Sequence, residues 1–232
     1  KMNLMDSNFC TTDPKRLKLR KHIPLYYMPN PVDESFEKLK NYEKDFLSKD
    51  VFFAMSHGVH RGILKKGKFD MREKFINKLQ KLLPDVNFDL YGMKKHQPIW
   101  ADNFINSIAN IKIGLNLSQG KPVKYYSSDR FAQLIGNGLL VFIDEKTKFS
   151  DFLTNREIVT YKNINDLAKK IKKYLDNEKL RKKIAKNGRE KYFKYFNSNI
   201  VADYIVNKTF NLNNKKYFWE KSWNINFTLE KL

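Results

Sequence analysis

From residue 50 to residue 161, short apolar runs alternate with amphipathic stretches, and this constrains the fold more than any other feature of the chain. The runs 50–55 and 139–143 are apolar almost throughout and read as buried strands, and 86–91, 111–117 and 157–161, shorter on apolar residues, read as further strands. Helical patterns lie between them. Asp70 with Glu73 three residues on forms a capping signature, Phe75, Ile76, Leu79, Leu82 and Leu83 supply an apolar face, and Pro84 ends the helix. Residues 102–109 place Phe104, Ile105 and Ile108 on one side, and a short helix is expected near 149–153. Strands separated by helices imply an α/β fold, a Rossmann-like parallel sheet with helices on both faces. Such sheets bind ligands at the carboxyl ends of their strands, so the loops 56–62, 92–98 and 118–130 become suspects.

The third loop leads into a short helix with a marked start and stop. Ser127, Ser128 and Asp129 carry oxygens that can accept the free N–H groups of a first helical turn. Gly136, Asn137 and Gly138 are residue types that tolerate the left-handed conformation ending helices. Phe131, Leu134 and Ile135 form an apolar stripe, while Arg130, Gln133 and Asn137 form a polar one. A cation and two amides beside a positive helix N-terminus suit a phosphate-bearing ligand. The same residues also suit a solvated surface helix, and the position of the helix at the strand ends favours the ligand.

The flanks carry less pattern. Residues 1–21 have little periodicity and enter mid-pattern, so an upstream portion is expected. Pro24, Pro29 and Pro31 force an extended entry segment, and 34–47 has weak helical character. After Asn163 the chain turns helical, with Leu167, Ile171, Tyr174 and Leu175 on one face; Asn187-Gly188 marks a stop, and 189–196 and 199–208 form two more helices. The tail 209–232 holds Trp219 and Trp223 without firm pattern.

The formal charge of +20 over 232 residues points to anionic partners, such as polyanions, anionic membrane or phosphorylated substrate. The lysines are diffuse and no nucleic-acid motif is present, so specific nucleic-acid binding is not expected. The single cysteine, Cys10, allows no intrachain disulfide and fits a reducing, cytoplasmic setting. No apolar run approaches the roughly 20 residues that span a bilayer. The basic helices after Asn163 could still rest on the inner, anionic face of a membrane. No acidic cluster or histidine spacing suggests a metal site, and His57 and His60 read as loop histidines.

Residues 50–205 resemble the C-terminal, donor-binding half of GT-B glycosyltransferases, and most nearly the glycosyltransferase-like family typified by the spore-maturation proteins within the group-one enzymes. The matching pieces are Leu115-Asn116-Leu117-Ser118, Ser128-Asp129-Arg130-Phe131-Ala132-Gln133 and Gly136-Asn137-Gly138-Leu139-Leu140. Downstream, Glu157-Ile158-Val159, Asp166-Leu167 and Ile184-Ala185-Lys186-Asn187-Gly188-Arg189 follow in order, and Pro29-Asn30-Pro31-Val32-Asp33 is similar to the family's entry into this domain. The resemblance implies an entry segment or N-terminal-domain remnant at 1–48, a nucleotide-sugar-binding domain at 49–208 and a tail at 209–232. It implies a nucleotide-diphosphate sugar as donor, a glycan or lipid-linked acceptor, and no cofactor or metal. It assigns Arg130 to the diphosphate, and Gly58 and Arg61 to a turn facing it. The family places glutamates where Gln133 and Tyr125 stand, and Gln133 keeps the means to bond a ribose hydroxyl. Three alternatives stand beside this: a non-catalytic module of the same fold, a fucosyltransferase-like enzyme, whose lysine-containing helix motif is not matched, and a basic nucleic-acid-binding domain.

Overall fold

The computed structural model describes residues 7–14, 24–56, 71–93 and 96–220. At its centre is a parallel sheet of five strands: β3 (Lys49–Ala54), β4 (Phe88–Tyr91), β5 (Ile111–Asn116), β6 (Leu140–Asp144) and β7 (Val159–Tyr161). A separate parallel pair precedes it, β1 (Asn8–Cys10) and β2 (Leu25–Tyr27). The helices are α1 (Met71–Leu82), α2 (Ala101–Ile108), α3 (Asp129–Gly136), α4 (Ile164–Asp176), α5 (Glu178–Phe196) and α6 (Ser198–Phe210).

The spatial order is β4-β3-β5-β6-β7. The chain steps outward from β3 to β4, then crosses back to β5 and continues in the opposite direction. The order therefore reverses between β3 and β5, the crevice where open α/β sheets accept ligands.

Side chains alternate across the sheet and helices cover both of its faces, so both sets are apolar. Val51, Phe53, Ile113, Leu115, Leu140 and Phe142 face one core, packed under α1, α4 and the first half of α5. Phe52, Ala54, Val141 and Ile143 face the other, packed under α2, α3, the end of α5 and α6. Helix α3 lies very close to the sheet: a Cβ built at Gly114 would sit 2.8 Å from a Leu134 methyl. That contact fixes how the start of α3 meets the strand ends.

Three expectations are corrected. Residues 34–47 form no α-helix but turns and a 3-10 turn, Asn41–Glu43. Tertiary hydrogen bonds override the weak pattern. The fully buried Asn41 donates through Nδ2 to Ile108 O (2.7 Å) and Ile111 O (2.9 Å), plugging the turn from α2 to β5. Asn187-Gly188 is no stop, since α5 runs through it. Gly188 is small because helix and backbone meet there; a Cβ would approach Glu157 O at 2.4 Å. The element near 149–153 is a 3-10 turn, Phe149–Asp151.

The segments flanking the sheet join one aromatic network. Tyr27 stacks on Phe152 (5.8 Å, 10°), Phe131 meets Phe149 (4.7 Å), and Tyr192 stacks on Phe196 (4.6 Å). Trp219, almost fully buried, packs on Phe196 and Tyr204. Beside it, Val32 bridges to Asn197, and Asp33 accepts hydrogen bonds from Ser198 Oγ (2.5 Å) and from Ser35 Oγ and N.

Those bonds, Ser198 first and then Ser35, hold the Asp33 carboxyl down at about 2. A carboxylate with a depressed folded value adds stability above its unfolded value, and this is lost as pH falls toward the folded one. We therefore expect wild type to lose stability between about pH 4 and pH 2, and Ser198→Ala to flatten that loss in acid-titrated thermal melts. In the core, Leu134→Ala is expected to lower the unfolding free energy by about 2–5 kcal/mol in urea titrations.

Candidate functional site

A cavity of about 320 Å³ opens at the carboxyl edge of the sheet, where the strand order reverses. Ala54, Met55 and Ser56 line it from the end of β3, and Leu117 and Gln119 from the end of β5. The start of α3 contributes Ser128, Asp129, Arg130 and Gln133; Tyr126 comes from the loop before it. Arg72 of α1 and the segment Pro98–Ala101 before and at α2 complete the wall.

Arg130 is the centre of this site. Only 9% exposed, it donates from Nη1 to Ala54 O and from Nη2 to Leu117 O (2.9 Å) and Asn116 Oδ1 (3.2 Å). One guanidinium thus ties the ends of β3 and β5 together across the reversal. Its Cζ lies 4.9 Å from the centre of the Phe53 ring, and its Nε has no partner among the described residues. All of its acceptors are neutral oxygens. Burial, and then the charge of Arg72, pull its pKa down to about 10, so it stays cationic at neutral pH. A buried cation held by neutral groups leaves positive potential in the cavity, strengthened by low dielectric surroundings.

Asn116 closes the last position of β5. Nearly fully buried, it accepts from Ser128 Oγ (2.8 Å) as well as from Arg130, and its Nδ2 is unpartnered among the described residues. Ser128 precedes the helix in an extended conformation, but its hydroxyl goes to Asn116 and caps no helical N–H. Asp129 Oδ1 accepts from Arg130 N (2.9 Å) instead. The helix start faces the cavity with its dipole positive.

The sequence-derived site residues separate. Ser128, Arg130 and Gln133 share the cavity wall. Ser127 is buried beside it, with its carbonyl accepting from Asn30 Nδ2 (3.0 Å) and its Oγ unpartnered among the described residues. Asn137 lies at the far end of α3, fully buried; its Oδ1 accepts from Leu39 N (3.0 Å) and its Nδ2 donates to Gln133 O (2.9 Å). Gly58 and Arg61, with His57 and His60, lie outside the described residues. Tyr125, at the position compared with a family glutamate, is 2% exposed and turns into the aromatic core. Its backbone is left-handed (φ +59°), and its phenol, raised in pKa by burial and then by Asp151, donates to Asp151 Oδ2 (2.9 Å). The neighbouring Tyr126 reaches the cavity instead.

Sequence reading passed over Arg72 and Trp100 as site residues, and it suspected the loop 118–130 without singling out its Gln119 and Tyr126. Trp100 is 59% exposed on the cavity wall and leads into Ala101, another left-handed residue (φ +48°). Its signal was a large aromatic directly before a helix, two residues beyond the loop under suspicion. Asn116 was legible as a polar residue ending an apolar strand.

A family model described as glycosyl transferase-like matches residues 72–207. No curated protein matches the sequence. Among solved structures, the chain is similar to a TarM mutant from S. aureus in complex with fondaparinux, alpha-GlcNAc-glycerol and UDP (TM-score 0.63, 15% identity). That match covers 90% of this chain and 44% of TarM. A glycosyltransferase from Rickettsia africae gives TM-score 0.56 at 13% identity, over 90% of this chain and 65% of that one. An alpha1,3-fucosyltransferase with GDP gives 0.55 at 12%, over 94% and 72%. The fold is that of one half of a GT-B glycosyltransferase.

If Asn116 organises the cavity rim, Asn116→Ala should cost about 1–3 kcal/mol, because Ser128 Oγ and one Arg130 N–H lose a buried acceptor. Chemical denaturation checks this.

Proposed function

The chain belongs to the glycosyl transferase-like family, and from that premise we propose that its cavity binds a nucleoside diphosphate sugar as the donor for glycosyl transfer. The observation that carries this reading is the start of α3, with the buried Arg130 behind it, opening on a cavity at the point where strand order reverses. Helix N-termini and fixed cations favour phosphate oxygens. As the bond from sugar to diphosphate breaks, negative charge grows on the leaving group. A fixed positive potential stabilises that charge more than it stabilises the bound ground state. These groups would supply the stabilisation without a metal ion. Gln133 lies one turn into α3 on the cavity wall and would bond a ribose hydroxyl.

The acceptor, a glycan or a lipid-linked glycan, would approach from a second domain. This chain spans 44% of TarM, and the donor half is proposed to lie at 49–208. Among the described residues no helix is long and apolar enough to cross a membrane. The exposed Lys172, Lys173, Lys179, Lys183 and Lys186 of α4 and α5 would allow peripheral contact with anionic lipid. A second reading, binding without turnover, is favoured by Tyr125, whose burial removes that position from the cavity.

Calorimetric titration with UDP, GDP and their sugars tests the donor site. We expect micromolar to millimolar binding by one of them, weakened roughly 3- to 10-fold in Gln133→Ala, since one hydrogen bond is worth about 1 kcal/mol. Binding unaffected by this change would remove Gln133 from the site. Transfer of labelled sugar to a glycan or lipid-linked acceptor separates turnover from binding alone.

A further inference from the structure

One wall of the cavity carries a large exposed aromatic, and we propose that Trp100 is the platform on which the base of the donor nucleotide stacks. The proposal rests on the nucleoside diphosphate reading above and adds to it the group that holds the base.

The lining of the cavity divides by chemistry. Ser128, Arg130 and Gln133 of the α3 start give it a cationic, hydrogen-bonding side. Pro98, Ile99, Trp100, Ala101 and Phe104, before and in α2, give it an apolar side. A nucleotide divides in the same way, into charged phosphates and a flat base joined through a ribose. With the diphosphate at the start of α3 and a ribose hydroxyl at Gln133, the base belongs on the apolar side. The transferred sugar hangs from the far phosphate, away from the ribose, and so away from that wall.

Trp100 is 59% exposed, although folded proteins bury most of their tryptophan surface. Among the described residues its indole meets no other ring and no cation. Its backbone is fixed on both sides. Gly92 N donates to His96 O (3.1 Å) and Gln97 O (3.3 Å), tying the chain ahead of Trp100 to the end of β4. Trp100 itself is extended (φ −143°, ψ 169°), and the next residue, Ala101, is left-handed (φ +48°). A side chain with two torsions on a fixed backbone loses little freedom when a ring covers it. The side chains of Pro98, Ile99, Ala101 and Phe104 around it carry no donor or acceptor. Stacking needs none, because every base presents a flat π face.

The test combines calorimetry with tryptophan fluorescence, excited beyond the absorption of the bases. The ligands are UDP, GDP, uridine, guanosine and glucose 1-phosphate. The proteins are wild type, Trp100→Ala and Trp100→Phe, each also melted thermally. The nucleotide that binds wild type is expected to quench its fluorescence, as is the matching nucleoside, whereas glucose 1-phosphate leaves it unchanged. Trp100→Ala should weaken that nucleotide and its nucleoside by the same factor, about 5- to 100-fold, at the wild-type melting temperature. Trp100→Phe should keep most of the affinity and lose the quenching, although Trp219 and Trp223 remain. Full nucleotide affinity in Trp100→Ala would overturn the assignment. So would a loss confined to the diphosphate with nucleoside affinity intact, or quenching by glucose 1-phosphate alone. Wild type that binds neither UDP nor GDP would remove the donor-site reading itself. Binding without quenching, unchanged in Trp100→Ala, removes only the stacking.

Discussion

A single buried guanidinium joins the two strands between which the sheet changes direction. Arg130 donates to Ala54 O at the end of β3 and to Leu117 O and Asn116 at the end of β5. Carbonyls at strand ends lose their ladder partners, and buried ones need donors. Arg130 meets that need and props the crevice open. Helix α3, which carries it, is pressed onto the sheet by the Leu134 contact at Gly114. The geometry of the cavity follows from these two contacts. A cation placed there for structural reasons also leaves the crevice positive, so in the proposed reading one residue serves both the fold and the anion.

The same helix is held at its other end by the entry segment. Asn137 accepts from Leu39 N, and Arg189 of α5 donates to Gly136 O (2.8 Å) and Glu37 O (3.2 Å). Gly136 and Gly138 leave room for Glu37 and Tyr42. Helix α3 is thus clamped at both ends, by strand termini at the cavity and by residues 37–42 at the back. Such clamping limits the motion of the helix start, which is what a preorganised anion site requires.

The central strands were legible because a parallel sheet covered on both faces buries most of β3, β5 and β6, so that their apolar runs mark them, while the edge strand β4 is only partly buried and carries polar residues between its apolar ones. Helix α3 was legible through its stripe of Phe131, Leu134 and Ile135. Its polar positions were harder to read, because helical spacing says which residues share a side and nothing about what lies opposite. Arg130 and Asn137 both met backbone groups from distant parts of the chain, and only Gln133 kept a partly exposed place in the cavity. Gly188 looked like a stop because local reading cannot separate a glycine that ends a helix from one that admits a neighbour. Trp100 and Arg72 reach the cavity from two helices that sequence patterns place but cannot orient around a common point.

The most direct test of the account is a crystal structure of this chain with UDP or GDP bound. The account predicts the diphosphate in the cavity at the start of α3, bonded to backbone N–H groups of its first turn, with the Arg130 fork still on Ala54 O and Leu117 O. A nucleotide bound elsewhere, such as the second cavity beside Asp33, Asn197 and Ser198, would contradict it.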